Sequence, residues 1–354
     1  MYYLLPFLLA LIISLVITPL VRRVALHYGI IDRPDFQRKV HKYPVAYLGG
    51  VAIFAGFLIP VLAFLPLSRR LWALLIAIAL LLVVGVVDDI KGLSPWIKLG
   101  WQVFAALIVL CGGIGIVSIT NPFGNTIILD WGRFAINFGS LHFHITPVGN
   151  LLSVLWMVGM INIINFIDGL DGLACGVSSI AALVIFLLSI SPKVGQPQVA
   201  LLAIILTGAA VGFLPYNFFP AKIFMGDGGA YFLGLTLALL AIYSGGKLAT
   251  AGLVLGFTIF DGVWAAIRRL MQGKSPFKAD KNHFHHLLLD VGLSQRQAVL
   301  ILYAIASLFG LIALGSSTTM KLVSLLVLLL VMAASTAILT LLATQARKRR
   351  ASLS

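Results

Sequence analysis

Eleven apolar runs follow one another along the chain, at about residues 3–21, 47–66, 71–87, 97–118, 148–164, 173–191, 199–215, 230–243, 249–267, 298–315 and 321–342. A hydrocarbon core of about 30 Å calls for roughly 20 helical residues, and most of these runs come close to that length. With 60% of its 354 residues hydrophobic and only 10% charged, and a mean hydropathy of +1.07, the chain lies far outside the balance of soluble domains. It is predicted to be an all-α polytopic membrane protein with eleven transmembrane helices. Residues 1–346 form one transmembrane domain, and 347–354 form a short basic tail. The eighth run is short, and its separation from the ninth rests on the polar SGGK at 244–247.

A net charge of +14 would suggest nucleic acid in a soluble protein. Here the placement of the charges points elsewhere. Lys and Arg collect at the cytoplasmic ends of spans, and of the 25 present, 19 fall in the loops at 22–46, 88–98, 165–174, 216–229 and 268–297 and in the tail. The expected orientation is N-terminus outside and C-terminus cytoplasmic, with RKRR (347–350) beside anionic lipid and no nucleic acid partner. No basic residue precedes the first run, which argues against a cleaved leader. Cys111 and Cys175 fall at opposite ends of their spans, too far apart to pair.

All eleven acidic residues are Asp. On the expected topology ten of them lie in or beside cytoplasmic segments, a bias that the rule for Lys and Arg does not predict. Asp88 and Asp89 end the third run, Asp168 and Asp171 follow the fifth, Asp227 follows the seventh and Asp261 lies late in the ninth. Singly, each could cap a helix or make a turn with its neighbouring Gly. Several at one depth must share protons, bases or a metal, and an all-oxygen set suits Mg2+. In NIINFIDGLDGLACG (162–176), Asn162, Asn165 and Asp168 are spaced by three and share a helix face. Gly169 and Gly172 then loosen the chain, so that face is expected to look into a cytoplasmic cleft. In NFFPAKIFMGDGG (217–229), Pro220 and the glycines are expected to make an irregular loop that presents Asp227.

The connection at 268–297 carries six basic residues and His283, His285 and His286. Their spacing does not match the usual zinc pattern, which leaves a solvated surface or an anion site. RKVHK (38–42) has the same character, with Lys42 at its end. At 119–147, FAINF and LHFHI alternate, which predicts a short external β-hairpin with His142 and His144 on its wet side.

These motifs together resemble the polyprenyl-phosphate N-acetylhexosamine-1-phosphate transferases, relatives of the phospho-MurNAc-pentapeptide translocase, over nearly the whole chain. The likeness is carried by DRPDFQRKVHK, the Gly pair at 49–50, VVDD ending at Asp89, NIINFIDGLDGLA, NFFPAKIFMGDGG and NHFHHLLLDVGLSQRQAV, in family order. It implies transfer of a sugar 1-phosphate from a UDP-sugar to undecaprenyl phosphate with Mg2+, or Mn2+ in its place, on the cytoplasmic face, releasing UMP. By the same matching Asp227 is the metal ligand, and Asp88 and Asp89 handle the lipid phosphate and its proton. Asn165, Asp171 and Phe224 hold the nucleoside, with Phe224 flat against uracil, and Asp168 belongs to the same wall. His283, His285 and His286 lie near the substrate phosphates or sugar, and Lys42 contacts phosphate. HFHHLLL and VAYLGG, in place of HHHFE and TPTMGG, favour the N-acetylglucosamine branch over the MurNAc-pentapeptide enzymes. Ala46, Tyr47 and Leu287 depart from the Pro-Arg and Arg often found in related sequences.

A phosphate monoester with a second pKa near 6 asks little of a base, so direct attack by the lipid phosphate is expected rather than a covalent Asp intermediate. A proton-coupled transporter is the rival from another class, since intramembrane acids mark ion pathways; such carriers place their sites near the midplane. A CDP-alcohol phosphotransferase would need an Arg shortly after DG, where DGLDGLACG has none. The sequence leaves a homodimer possible.

Overall fold

The computed structural model describes residues 2–32, 44–121, 124–129, 131–138, 141–192, 194–243, 248–273 and 283–351. α1 (Leu4–His27) leads through β1 (Ile31–Asp32) and β2 (Val45–Ala46) to α2 (Gly49–Phe64), α3 (Arg69–Lys91) and α4 (Pro95–Cys111). Two antiparallel pairs follow, β3 (Ser118–Ile119) with β4 (Ile127–Ile128) and β5 (Phe134–Phe138) with β6 (Leu141–Ile145). The rest is helical: α5 (Pro147–Ile167), α6 (Leu173–Ser189), α7 (Pro197–Asn217), α8 (Gly226–Tyr243), α9 (Leu248–Val254), α10 (Gly256–Met271), α11 (Phe284–Asp290), α12 (Gln295–Gly315) and α13 (Thr318–Ala351).

Every apolar run coincides with helix, but the ninth is broken: α9 and α10 meet at Leu255 with a bend of 80°. Among the described residues, seven helices are long and apolar enough to cross a membrane: α1, α3, α5, α7, α8, α12 and the Thr318–Leu342 part of α13. The bent pair makes an eighth if it is one span, and α2, α4 and α6 are apolar but shorter. The chain is a multi-pass membrane protein. FAINF and LHFHI pair as expected, with Phe134 opposite Ile145 and Asn137 opposite His142.

The helices are not equivalent. In α8 and α7, 89% and 78% of the apolar window is buried inside the protein, against 22% in α1 and 17% in α13. A helix apolar all round belongs in an interior, and α8 is the central post, packed on α2, α3 and α5. Its first turn is made of small residues for a steric reason. A Cβ at Gly85 of α3 would lie 2.3 Å from Gly228 Cα, and one at Gly50 of α2 would lie 2.4 Å from Gly229 Cα. Glycine on glycine lets helix backbones touch. GDGG is therefore the start of a helix rather than the irregular loop expected from sequence, with Gly226 at φ +75° turning the chain into it.

The residues before α8 are tied to the first connection. Ala46 bridges Ile223, Phe224 N donates to Ala46 O (2.8 Å), Gly49 N to Phe224 O (2.9 Å) and Gly50 N to Met225 O (2.8 Å). Two segments far apart in sequence thus form one wall.

Gly85→Ala is expected to lower stability by about 1–3 kcal/mol through overpacking against backbone that cannot yield. Gly159→Ala on α5, where a new Cβ meets nothing within 4 Å, should be neutral or stabilising by up to about 1 kcal/mol. Thermal unfolding of the two variants in detergent checks the pair.

Candidate active site

A cavity of about 330 Å³ lies where α3, α5 and α8 converge with the 46–47 and 217–226 segments. Of the sequence-predicted residues, Asp89, Asn165, Asp168, Asp171, Phe224, Asp227 and His286 line it. Asp88 stands beside it, reached through shared partners. His283 and His285 stand behind His286, and Lys42 lies outside the described residues.

Asp227 is the hub. Its Oδ1 accepts from Asn165 Nδ2 (2.9 Å), and its Oδ2 accepts from Tyr231 OH (3.2 Å) and faces Lys98 Nζ at 3.4 Å. Its backbone N–H donates to Asp89 Oδ1 (3.0 Å), so a carboxylate caps the start of α8, where the helix dipole welcomes negative charge. Lys98 Nζ also lies 2.5 Å from Asp88 Oδ2, and Asp88 Oδ1 accepts from Leu93 N (2.6 Å). One ammonium thus joins Asp88 on α3 to Asp227 on α8. Asp89 Oδ2 is buried and has no hydrogen-bond partner among the described residues.

No group of three or more His, Cys, Asp or Glu side chains is arranged as a ready-made metal cage among the described residues. That is compatible with Mg2+, which commonly takes one or two carboxylates and leaves other positions to water and substrate phosphate. The orphaned oxygen of Asp89 beside Asp227 is the donor set that fits.

The polar face predicted on α5 divides. Asn165 and Asp168 turn to the cavity, whereas Asn162 pairs with Gln102 of α4, its Nδ2 donating to Gln102 Oε1 at 2.7 Å. Asp171 accepts from Ala221 N (2.9 Å), so it braces the 218–222 turn as well as lining the cavity. Phe224 meets the Tyr47 ring at 6.0 Å, tilted by 52°. Burial, then the charge and hydrogen bond of Asp32, pushes the Tyr47 phenol far above its ordinary value. Burial also raises Asp168 well above the usual carboxylate range, with Asp227, Asp89 and Asp171 adding to the shift.

The histidines form a column. His283 and His285 stack within 7° at 5.6 Å, and His285 meets His286 at 4.4 Å. His285 is 2% exposed and packs on Gly169, where a Cβ would fall 2.8 Å from its Nε2. Burial, then the neighbouring imidazoles, holds its pKa well below the ordinary value. His286 alone of the three lines the cavity.

Sequence reading passed over Lys98, Tyr231, Asp32 and Asn217 as site residues. Tyr231 carried a signal, since it lies one helical turn after Asp227. Lys98 was visible only as a charge near a span end. Ser94 and Pro95 start α4 there and put Lys98 in its first turn, but only packing shows what it meets. Asp32, Tyr47 and Asn217 reach the cavity through the bridge between Ala46 and Ile223, which no local pattern announces.

The sequence model of glycosyl transferase family 4 matches residues 71–245. A probable undecaprenyl-phosphate N-acetylglucosaminyl 1-phosphate transferase of Bacillus subtilis is 34% identical over 87% of this chain and 83% of its own length. The decaprenyl-phosphate N-acetylglucosaminephosphotransferase of Mycolicibacterium smegmatis is 31% identical over 88% of this chain and 80% of its own. The undecaprenyl-phosphate alpha-N-acetylglucosaminyl 1-phosphate transferase of Pasteurella multocida is 32% identical over 83% and 80%. The chain belongs to glycosyl transferase family 4, within the polyprenyl-phosphate N-acetylhexosamine-1-phosphate transferases that its motifs resemble. It is a phosphotransferase of that class.

The raised pKa of Asp168 has a stability consequence. A carboxyl that holds its proton more tightly folded than unfolded contributes fully below its unfolded pKa and loses that contribution as pH climbs through the folded one. In ligand-free protein, Asp168→Asn should therefore flatten the fall of melting temperature from weakly acidic to alkaline pH. An unchanged profile in a thermal-shift series counts against the assignment.

Proposed function

We propose that the protein transfers N-acetylglucosamine 1-phosphate from UDP-N-acetylglucosamine to undecaprenyl phosphate in the presence of Mg2+, forming undecaprenyl-diphospho-N-acetylglucosamine and UMP. The observation that carries this reading is the convergence of Asp89 and Asn165 on Asp227, with Lys98 of a fourth helix joining Asp227 to Asp88. The names of the relatives point to the same donor sugar and a polyprenyl acceptor. We further read the eleven apolar runs as eleven crossings of a bacterial inner membrane, N-terminus out, with the cavity toward the cytoplasm.

Phosphoryl transfer between two anions is chiefly a matter of position and charge. Asp227 and Asp89 are the groups that would hold Mg2+, which when bound supplies charge neutralisation at the phosphates. Asn165 fixes Asp227 by holding its Oδ1, and Tyr231 steadies Oδ2. Lys98 supplies a positive charge to the same region and pairs with Asp88 beside the path of the lipid phosphate. Phe224 offers an apolar face to uracil, and Asp171 keeps the wall behind it in place. His286 brings a hydrogen-bonding ring to the sugar or phosphate side. The lipid phosphate is the nucleophile itself, and no aspartyl intermediate is needed.

Asp227→Asn should reduce UMP release by more than about 100-fold, since metal-assisted charge stabilisation is worth several kcal/mol, while the variant stays folded in the membrane. Purified protein with undecaprenyl phosphate, Mg2+ and UDP-N-acetylglucosamine, analysed for the lipid product, is the direct test. Product only from UDP-MurNAc-pentapeptide moves the protein to another branch. Solute flux without turnover removes the enzymatic reading.

A further inference from the structure

Asp261, His283 and Arg269 form a buried polar chain outside the cavity, with 5%, 6% and 4% of their surface exposed. Asp261 and Arg269 both lie on α10, beyond the 80° bend, and His283 immediately precedes α11. Asp261 Oδ1 accepts from Phe284 N (2.8 Å), and its Oδ2 lies 3.0 Å from His283 Nδ1. On the other side of the ring, an Arg269 guanidinium nitrogen lies 3.3 Å from His283 Nε2. A guanidinium has only donors and an ionised carboxylate only acceptors. Nε2 must therefore offer its lone pair to Arg269, and the proton must sit on Nδ1, facing Asp261.

We propose that Asp261 and Arg269 lock His283 as its Nδ1–H tautomer, and that the locked ring is a positioning residue which seats α11 so that His286 faces the cavity. Both ring nitrogens are committed to these partners. His283 has no lone pair left to take a proton from substrate, and its one proton is held by Asp261. This replaces the catalytic role that the sequence suggests for it. The influence reaches the cavity through contact: the His283 ring stacks on His285, and His285 packs on His286. Asp261 contributes a second anchor by holding the Phe284 N–H in the first turn of α11. The catalytic consequence rests on the function proposed above; the tautomer does not.

The tautomer is tested on full-length protein labelled with ¹⁵N-histidine in detergent at neutral pH, without substrate. The His283 signals are assigned by difference against His283→Gln, or against His283→Asn if that variant is not produced. A protonated Nδ1 with a bare Nε2 is expected. A protonated Nε2 overturns the lock. The positioning role is tested by turnover. The amide of His283→Gln can still donate to Asp261 and accept from Arg269, so this variant should keep kcat within about tenfold, whereas loss of a proton-transfer residue costs roughly 10²–10⁴-fold. His283→Phe should lose most activity. Equal, deep loss in Gln and Phe variants that melt like wild type overturns the role. Inactive wild-type protein with every donor strikes the proposed function and leaves the tautomer measurement standing.

Discussion

The site exists because three helices touch at backbone distance. Gly228 against Gly85 and Gly229 against Gly50 leave no room for even a methyl group, and so the first turn of α8 is driven into the corner between α2 and α3. Association of helices in lipid relies on close van der Waals packing rather than on hydrophobic expulsion. That packing brings Asp227 beside Asp88 and Asp89, which electrostatics alone would keep apart. The repulsion is then moderated locally. Lys98 joins two of the carboxylates, the start of α8 receives the third, and Asn165 and Tyr231 each hold one oxygen of Asp227.

Crowded carboxylates in a cavity are a standing demand for positive charge. A cation such as a lysine ammonium can meet it, and Lys98 already occupies part of that role. Asp89 Oδ2, buried and without a hydrogen-bond partner among the described residues, marks where the demand is still open. On the function proposed above the donor and the acceptor are both anions, so each needs cations to enter this corner, and each can stay in its own phase if the cavity lies near one membrane surface. The distribution of Lys and Arg along the sequence supports that placement.

Much of this was legible in the chain itself. The apolar runs found their helices because any segment of such length in lipid must satisfy its own backbone, and the alternation in FAINF and LHFHI found its hairpin. The acids were legible as anomalies, since charge among apolar residues has a cost that needs a purpose. The reading weakened where local pattern and tertiary contact diverge. Three evenly spaced polar residues on α5 looked like one face, yet Asn162 turned to Gln102. Three histidines looked like one site, yet only His286 reaches the cavity and His283 is held between Asp261 and Arg269. The break between α9 and α10 left no mark, because the residues around Leu255 are as apolar as those of a straight span.

The sequence by itself determined that this chain is a helical membrane protein, where its helices lie, and, through its motifs, the transferase class to which it belongs. Those are properties of composition, length and motif, each read from residues near one another. Only the tertiary structure decided that Lys98 unites Asp88 with Asp227, that Tyr47 and Phe224 share a wall, and which imidazole faces the cavity. These are meetings between residues far apart in the chain, set by how closely glycines allow helices to approach, and no local periodicity encodes that distance.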